Sequence, residues 1–231
     1  ETEVVTLRGA LAARLPALTY TPGADTRSSS TDGIAAAVAA AKASDIVILT
    51  VGEDFDWSGE ARSRSDLRLP GAQQALAEAL FATGKPVVVV VMAGRPLVLS
   101  ELADKAGAIL LGWYGGNEGG TALADVLLGD ANPAGRLPAT FPRATGQVPL
   151  TYDMRPSGRP ANSDIKIDSN RYQDIAETPL YAFGHGLSYS SFTYGAMTID
   201  RPEIAGDGSF TVNVPITNNS ARAGDEVVQL Y

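Results

Sequence analysis

The chain has 231 residues, with 26 acidic against 18 basic side chains and a formal net charge of −8, which argues against nucleic acid or an anionic membrane as its partner. Its 45% hydrophobic and 7% aromatic residues can bury a sizeable core. The lack of cysteine excludes a disulfide framework, a thiolate zinc site and a cysteine nucleophile, and a Ser-His-Asp triad or histidine metal site would have to be built on His185, the single histidine.

In chain order, the first thirty residues are mixed: VVTLRGALAARLP reads as a short helix and LTYTPGADT as a strand and turn. STDGIAAAVAAAKASD is an alanine-rich helix with Thr31 or Asp32 available as N-cap. DIVILTV is a β-branched run that reads as a strand buried on both faces. PGAQQALAEALFATG opens on proline, carries apolar residues at helical spacing and closes on Gly84. PVVVVVM reads as a second buried strand, RPLVLSELADKA as a helix, GAILLGW as a third strand and NEGGTALADVLLGD as a helix. This alternation predicts an α/β fold built from βαβ units, with a mostly parallel sheet and right-handed crossovers that place helices on both faces.

From Asn132 the pattern changes. NPAGRLPATFPRATGQVP and the long stretch to FGHGLSY are rich in turn residues and lack periodicity, which suits a functional segment or one that wraps over a neighbour. After Tyr189, FTYGAMTID, GSFTVNVPITNN and DEVVQLY alternate like antiparallel strands, with turns at AGDG and NNSARAGD. They read as the first half of a β-sandwich. No run of eighteen apolar residues is present, so no membrane-spanning helix is predicted. The opening ETEVVTLRGALAARLP lacks the basic and apolar regions of a signal peptide and has no initiator Met. With the last strand-like run breaking off at Tyr231, the sequence reads as a piece of a longer one.

In a doubly wound sheet, ligands bind beyond the C-terminal ends of the strands. Three loops qualify: residues 51–71, VGEDFDWSGEARSRSDLRLPG; AGRP after the second strand; and YGGNEGG after the third. The first carries Glu53, Asp54, Asp56, Glu60 and Asp66, with Arg62 and Arg64 beside Glu60, and Trp57. A carboxylic acid on a loop able to close over a substrate suits general acid/base work, and an indole suits the C–H face of a sugar. A solvated acidic loop explains the same run, and spacing alone leaves both readings open. YGGNEGG lacks the phosphate-binding glycine patterns, which speaks against nucleotide binding, and Glu118 suits a plain first-turn acid. His185 between two glycines reads as a turn residue, Trp113 as core packing, and Asn218 opens an NNS glycosylation sequon.

SGEARSRSDLRLP, ATGKPVVVVVMAGRPLVL, GWYGGNEGGTALADVLLGDANPAGRLPATFP, VPLTYD and LYAFGHGLSYSSFTY together resemble glycoside hydrolase family 3, in its bacterial β-glucosidase or β-xylosidase form. The resemblance runs from about residue 31 to the end. It implies residues 1–150 as a six-stranded α/β sandwich, entered just after its first strand. It further implies 151–190 as an irregular linker wrapping the domains and 191–231 as an incomplete fibronectin type III-like domain. A TIM-like barrel elsewhere in the protein would carry the nucleophilic aspartate. Glu60, within SGE, matches the family's acid/base position; Glu53, close after the strand, reads as a structural acid, and Trp57 and Arg64 as substrate-binding neighbours. The implied reaction is exo-acting, retaining hydrolysis of terminal β-linked sugars, with carboxylates roughly 5 Å apart. No metal or organic cofactor is implied. The implied partners are a β-linked oligosaccharide and the barrel, with no nucleic acid and no membrane, and the implied location is the periplasm or the exterior. The chain by itself is expected to be inactive. The competing readings are a non-catalytic carbohydrate-binding or scaffolding module and, against the missing phosphate fingerprint, a nucleotide-binding domain.

Overall fold

The five consecutive valines of PVVVVVM form the middle strand of a parallel sheet. A computed structural model describes residues 3–155, 158–159 and 171–231. In it β1 (Val47–Gly52), β2 (Val87–Met92) and β3 (Ala108–Leu111) lie in the order β1-β2-β3, with Leu49 opposite Val89 and Val90 opposite Leu110. The sheet therefore has three strands among the described residues, rather than six. β2 alone is buried on both faces: Val89 and Val90, which point to opposite sides, are each 0% exposed. β1 was expected to be buried on both faces too, but Thr50 is exposed while Leu49 and Val51 are buried. Among the described residues β2 has a strand on each side and β1 has one on a single side.

The flanking helices are α1 (Leu7–Ala12), α2 (Ile34–Lys42), α3 (Gln73–Phe81), α4 (Ser100–Ala103) and α5 (Gly119–Leu128). On α2, Ala37 and Ala41 stand one turn apart and bury against the core shared with Leu76, Ala77 and Leu80 of α3. Neither Thr31 nor Asp32 caps α2; its N-cap is Gly33, with no side-chain hydrogen bond. A Cβ on Gly33 would stand 2.3 Å from the carbonyl oxygen of Gly23, so close backbone approach displaces the preferred cap. RPLVLSELADKA is helical only over α4. Leu97 and Leu99 are fully buried on either side of Val98, whose N–H donates to the Leu67 carbonyl at 2.8 Å. The segment is not helical there, and the hydrogen bond ties the end of the 51–71 loop to the segment after β2. LTYTPGADT forms no strand.

The chain divides into two compact units. The first comprises Glu1–Ala124 and Leu137–Phe183, and holds the parallel sheet. Phe141, 1% exposed, packs edge-on against Trp113 and Tyr181 there. The second comprises Asp125–Arg136 and Gly184–Tyr231. It contains β4 (Phe192–Tyr194), β5 (Thr198–Ile199), β6 (Val212–Asn213) and β7 (Ile216–Asn218), paired antiparallel as β4–β7 and β5–β6. Asn132 organises this unit: its Nδ2 donates to Ser190 Oγ and to the Ala223 carbonyl, and its Oδ1 accepts from Ser188 Oγ and from the Tyr189 N–H. Asn218 of the sequon donates to the Arg222 carbonyl at 2.8 Å and accepts from the Ser220 N–H at 2.8 Å. DEVVQLY forms no strand among the described residues, and its Val228, Leu230 and Tyr231 are exposed; alternation makes a strand only where a neighbour supplies backbone partners. Of the expected linker, residues 156–157 and 160–170 lie outside the described residues.

Gly52 ends β1 with φ at +146°, and a Cβ there would stand 1.8 Å from the Met92 carbonyl oxygen of β2. Buried Gln73 clasps this strand end, accepting from the Gly52 N–H at 2.7 Å and donating to the Gly52 carbonyl at 2.8 Å. Gly52→Ala is expected to lower stability by about 2–3 kcal/mol through backbone strain and overpacking. Urea unfolding measures this; an unchanged midpoint would show that the β1–β2 spacing gives way freely.

Candidate active-site loop

The loop leaving β1 begins at a carboxylate that is not available to solvent. Glu53 is 6% exposed, and its side chain 0%. Its N–H continues the ladder, donating to the Met92 carbonyl at 2.9 Å, so the residue is fixed by the strand. Oε1 accepts from Arg64 Nη1 at 2.6 Å, and Oε2 accepts from Arg95 Nε at 3.1 Å and from Ser58 Oγ at 3.4 Å. A buried carboxylate needs such partners, because leaving it unpaired costs several kcal/mol. Both guanidinium groups also reach backbone. Arg64 donates to the Arg68 carbonyl at 3.2 Å. Arg95 Nη2 donates to the carbonyl of Trp57 and, at 2.7 Å, to that of Arg62.

Between those last two carbonyls lies Glu60. The Arg62 N–H donates to the Gly59 carbonyl at 3.3 Å, which closes a turn with Glu60 and Ala61 at its corners. Ala61 has φ of 59°, the left-handed backbone that the third position of a type II turn requires. Glu60 is exposed at this tip, and no described group pairs with or hydrogen-bonds to its carboxylate. The other acids of the loop are engaged. Arg27 binds Asp54 through Nε and Asp56 through Nη2, the latter at 2.6 Å. Hydrogen bonds from the Arg68 side chain, and then from its backbone N–H, hold the Asp66 carboxyl down to about 2, below the useful range for a general acid at neutral pH.

Trp57 and Arg64 are brought together: the guanidinium carbon lies 5.1 Å from the indole centroid. Trp57 ends a single 3-10 turn, Phe55–Trp57, and is half-buried. Arg64 is largely engaged within the chain, its side chain 18% exposed. Three contributors from outside the loop carry no local sign of that role: Arg27, which holds Asp54 and Asp56, Arg95 and Tyr114. Arg95 comes from AGRP, recognised only as one of three candidate loops. Tyr114, just past β3, donates its hydroxyl to the Asp54 carbonyl at 3.0 Å. The preceding Trp113, with φ of 46°, makes the left-handed turn that ends the strand there. The signal for Arg95 is its place: a lone arginine three residues beyond a buried apolar strand, at the sheet edge where β1 releases its acids. Residues after all three strands thus converge on one edge of the sheet. Gly94 permits the approach, since a Cβ there would stand 2.6 Å from Ser58 and 2.8 Å from the Tyr114 ring.

His185 is exposed, and Glu118 shares its carboxylate with the Thr121 hydroxyl at 3.1 Å. Among the described residues no group of three His, Asp or Glu side chains stands close enough to hold a metal ion. No helix there is long and apolar enough to cross a membrane.

Residues 2–189 match the family described as the glycosyl hydrolase family 3 C-terminal domain. A β-xylosidase of Formosa agariphila is 45% identical over 93% of the chain, and a periplasmic β-glucosidase of Salmonella typhimurium 47% identical over 84%. The chain spans only 29% and 26% of those two relatives. Among solved structures, a β-glucosidase from Listeria innocua in complex with isofagomine superposes with a TM-score of 0.87 at 35% identity, over 96% of this chain and 31% of that one.

Proposed function

The chain belongs to glycosyl hydrolase family 3, as its C-terminal domain, and on that premise we propose that it supplies an acid/base carboxylate, Glu60, to an exo-acting, retaining β-glycosidase. One observation carries this reading. Of the five acids in the 51–71 loop, Glu60 alone presents an exposed carboxylate that no described group engages, on a turn held from beneath by Arg95. A general acid must reach the leaving oxygen and exchange its proton, and an engaged or buried carboxylate does neither.

In this reading an aspartate of a TIM-like barrel in the same protein attacks the anomeric carbon. Glu60 protonates the departing oxygen, then takes a proton from the water that releases the sugar. Trp57 offers its ring to the sugar's C–H face and Arg64, held by Glu53, backs that ring; both stay substrate-side neighbours. The substrate class is a β-linked glycoside, in line with the β-glucosidase and β-xylosidase names of the relatives. The periplasmic relative supports a periplasmic or secreted location. A fibronectin type III-like role for 191–231 and inactivity of the chain without the barrel belong to the same proposal.

The experiment is the leaving-group dependence of Glu60→Ala in the full-length protein. Loss concentrated on poor leaving groups, with azide speeding release of the glycosyl-enzyme, supports the reading. Loss independent of the leaving group, or none, overturns it in favour of a non-catalytic carbohydrate-binding module.

A further inference from the structure

Arg95 has no part in the reaction as written above, yet its hydrogen bonds bracket the turn that carries Glu60. One nitrogen reaches the carbonyl of Trp57, before the turn, and that of Arg62, which closes it. Its Nε is anchored on Glu53, whose side chain is 0% exposed and whose other oxygen is taken by Arg64. A planar guanidinium can serve a carboxylate and carbonyls in fixed directions at once, which an ammonium cannot. The backbone of the turn is thus referred to the end of β1 through one rigid fork, whereas Gly59, at its start, has no atom within 4 Å of where a Cβ would stand. We propose that Arg95 is a positioning residue for Glu60, setting the distance and direction from which its carboxyl meets the leaving oxygen. This rests on the acid/base reading of Glu60. It follows because proton transfer in the transition state is sensitive to displacements on the order of 1 Å, and among the described residues Arg95 is the one side chain that bonds to both flanks of the turn.

The test compares Arg95→Ala, Arg95→Lys, Glu60→Ala and the Arg95→Ala/Glu60→Ala double variant in the full-length protein. Each is assayed on β-glycosides with leaving groups from acidic phenols to simple alcohols, and its thermal unfolding is recorded. Arg95→Ala is expected to lower kcat on poor leaving groups by about 10–100-fold, with KM little changed. The loss should shrink on acidic phenols, which depart without protonation. The double variant should lose no more than Glu60→Ala, since Arg95 acts through that carboxyl. Arg95→Lys keeps a cation beside Glu53 without the fork. Should the alanine variant fold poorly, the lysine variant, unfolding like the parent, must show the same leaving-group dependence. Equal loss on all leaving groups in the folded variant, or additive losses in the double variant, would overturn the proposal and leave Arg95 as scaffold. If Glu60→Ala shows leaving-group dependence and the Arg95 variants do not, this inference alone fails. If Glu60→Ala shows none, the acid/base reading fails and this one with it.

Discussion

Glu60→Ala in the full-length protein is expected to lower kcat on a β-linked disaccharide by about 10²–10⁴-fold, the range general acid catalysis ordinarily contributes. That corresponds to about 3–5 kcal/mol of barrier. The magnitude follows from the lack of a substitute within the loop. Asp54 and Asp56 share Arg27. Asp66 stays ionised beside Arg68, its carboxyl held near 2. Glu53 lies under two guanidinium groups with no exposed side-chain surface. Each of these is engaged by an arginine, whereas no described group engages Glu60, which is left to offer a proton to a leaving alkoxide. An aryl glycoside with an acidic phenol needs no such proton, so its glycosylation step should survive far better. Release of the sugar then becomes slow, because water has lost its base, and azide, which needs none, should restore turnover as a glycosyl azide of retained configuration. Steady-state kinetics across leaving groups with product analysis reads each arm. A disaccharide rate within threefold of the parent would remove Glu60 from the chemistry.

Much of the frame behind this site was legible because apolar runs announce buried strands. Val87–Val91 could hardly be placed anywhere but the middle of a sheet, and the alanines of α2 at helical spacing had to face something close. The misreadings came where tertiary contact outweighed local preference. Thr31 and Asp32 are better caps than Gly33, yet the backbone of Gly23 stands too near for a side chain. Leu97 and Leu99 fit a helical or an extended pattern equally well, but the Val98 N–H is drawn to the Leu67 carbonyl and the helix starts only at Ser100. In the site, the loop was found from topology, but its acids looked alike until the resemblance singled out Glu60. What separates Glu53 from Glu60 physically is partnership: Arg64 and Arg95 meet Glu53 from 11 and 42 residues away. Arg95 reaches it across the sheet edge, and no local pattern reports such a contact.

Glu53→Ala is expected to destabilise the α/β unit by about 3–5 kcal/mol, the effect of removing one member of a buried ion cluster. The carboxylate accepts from both arginines, whose side chains are only 18% and 19% exposed, so its loss leaves two cations facing each other with little water to screen them. Their partial exposure, together with the backbone carbonyls each still holds, favours the lower end of that range. The same argument predicts a partial recovery. Adding Arg64→Ala to Glu53→Ala removes one of the two uncompensated charges, so the double variant should be more stable than the single one, although it has lost more contacts. Urea midpoints at constant slope measure both effects. A loss below about 1 kcal/mol would place this cluster with surface ion pairs. A double variant less stable than Glu53→Ala would show that Arg64 matters through its packing against Trp57 rather than through its charge. The recovery therefore distinguishes an electrostatic clamp at the root of the loop from a merely space-filling one.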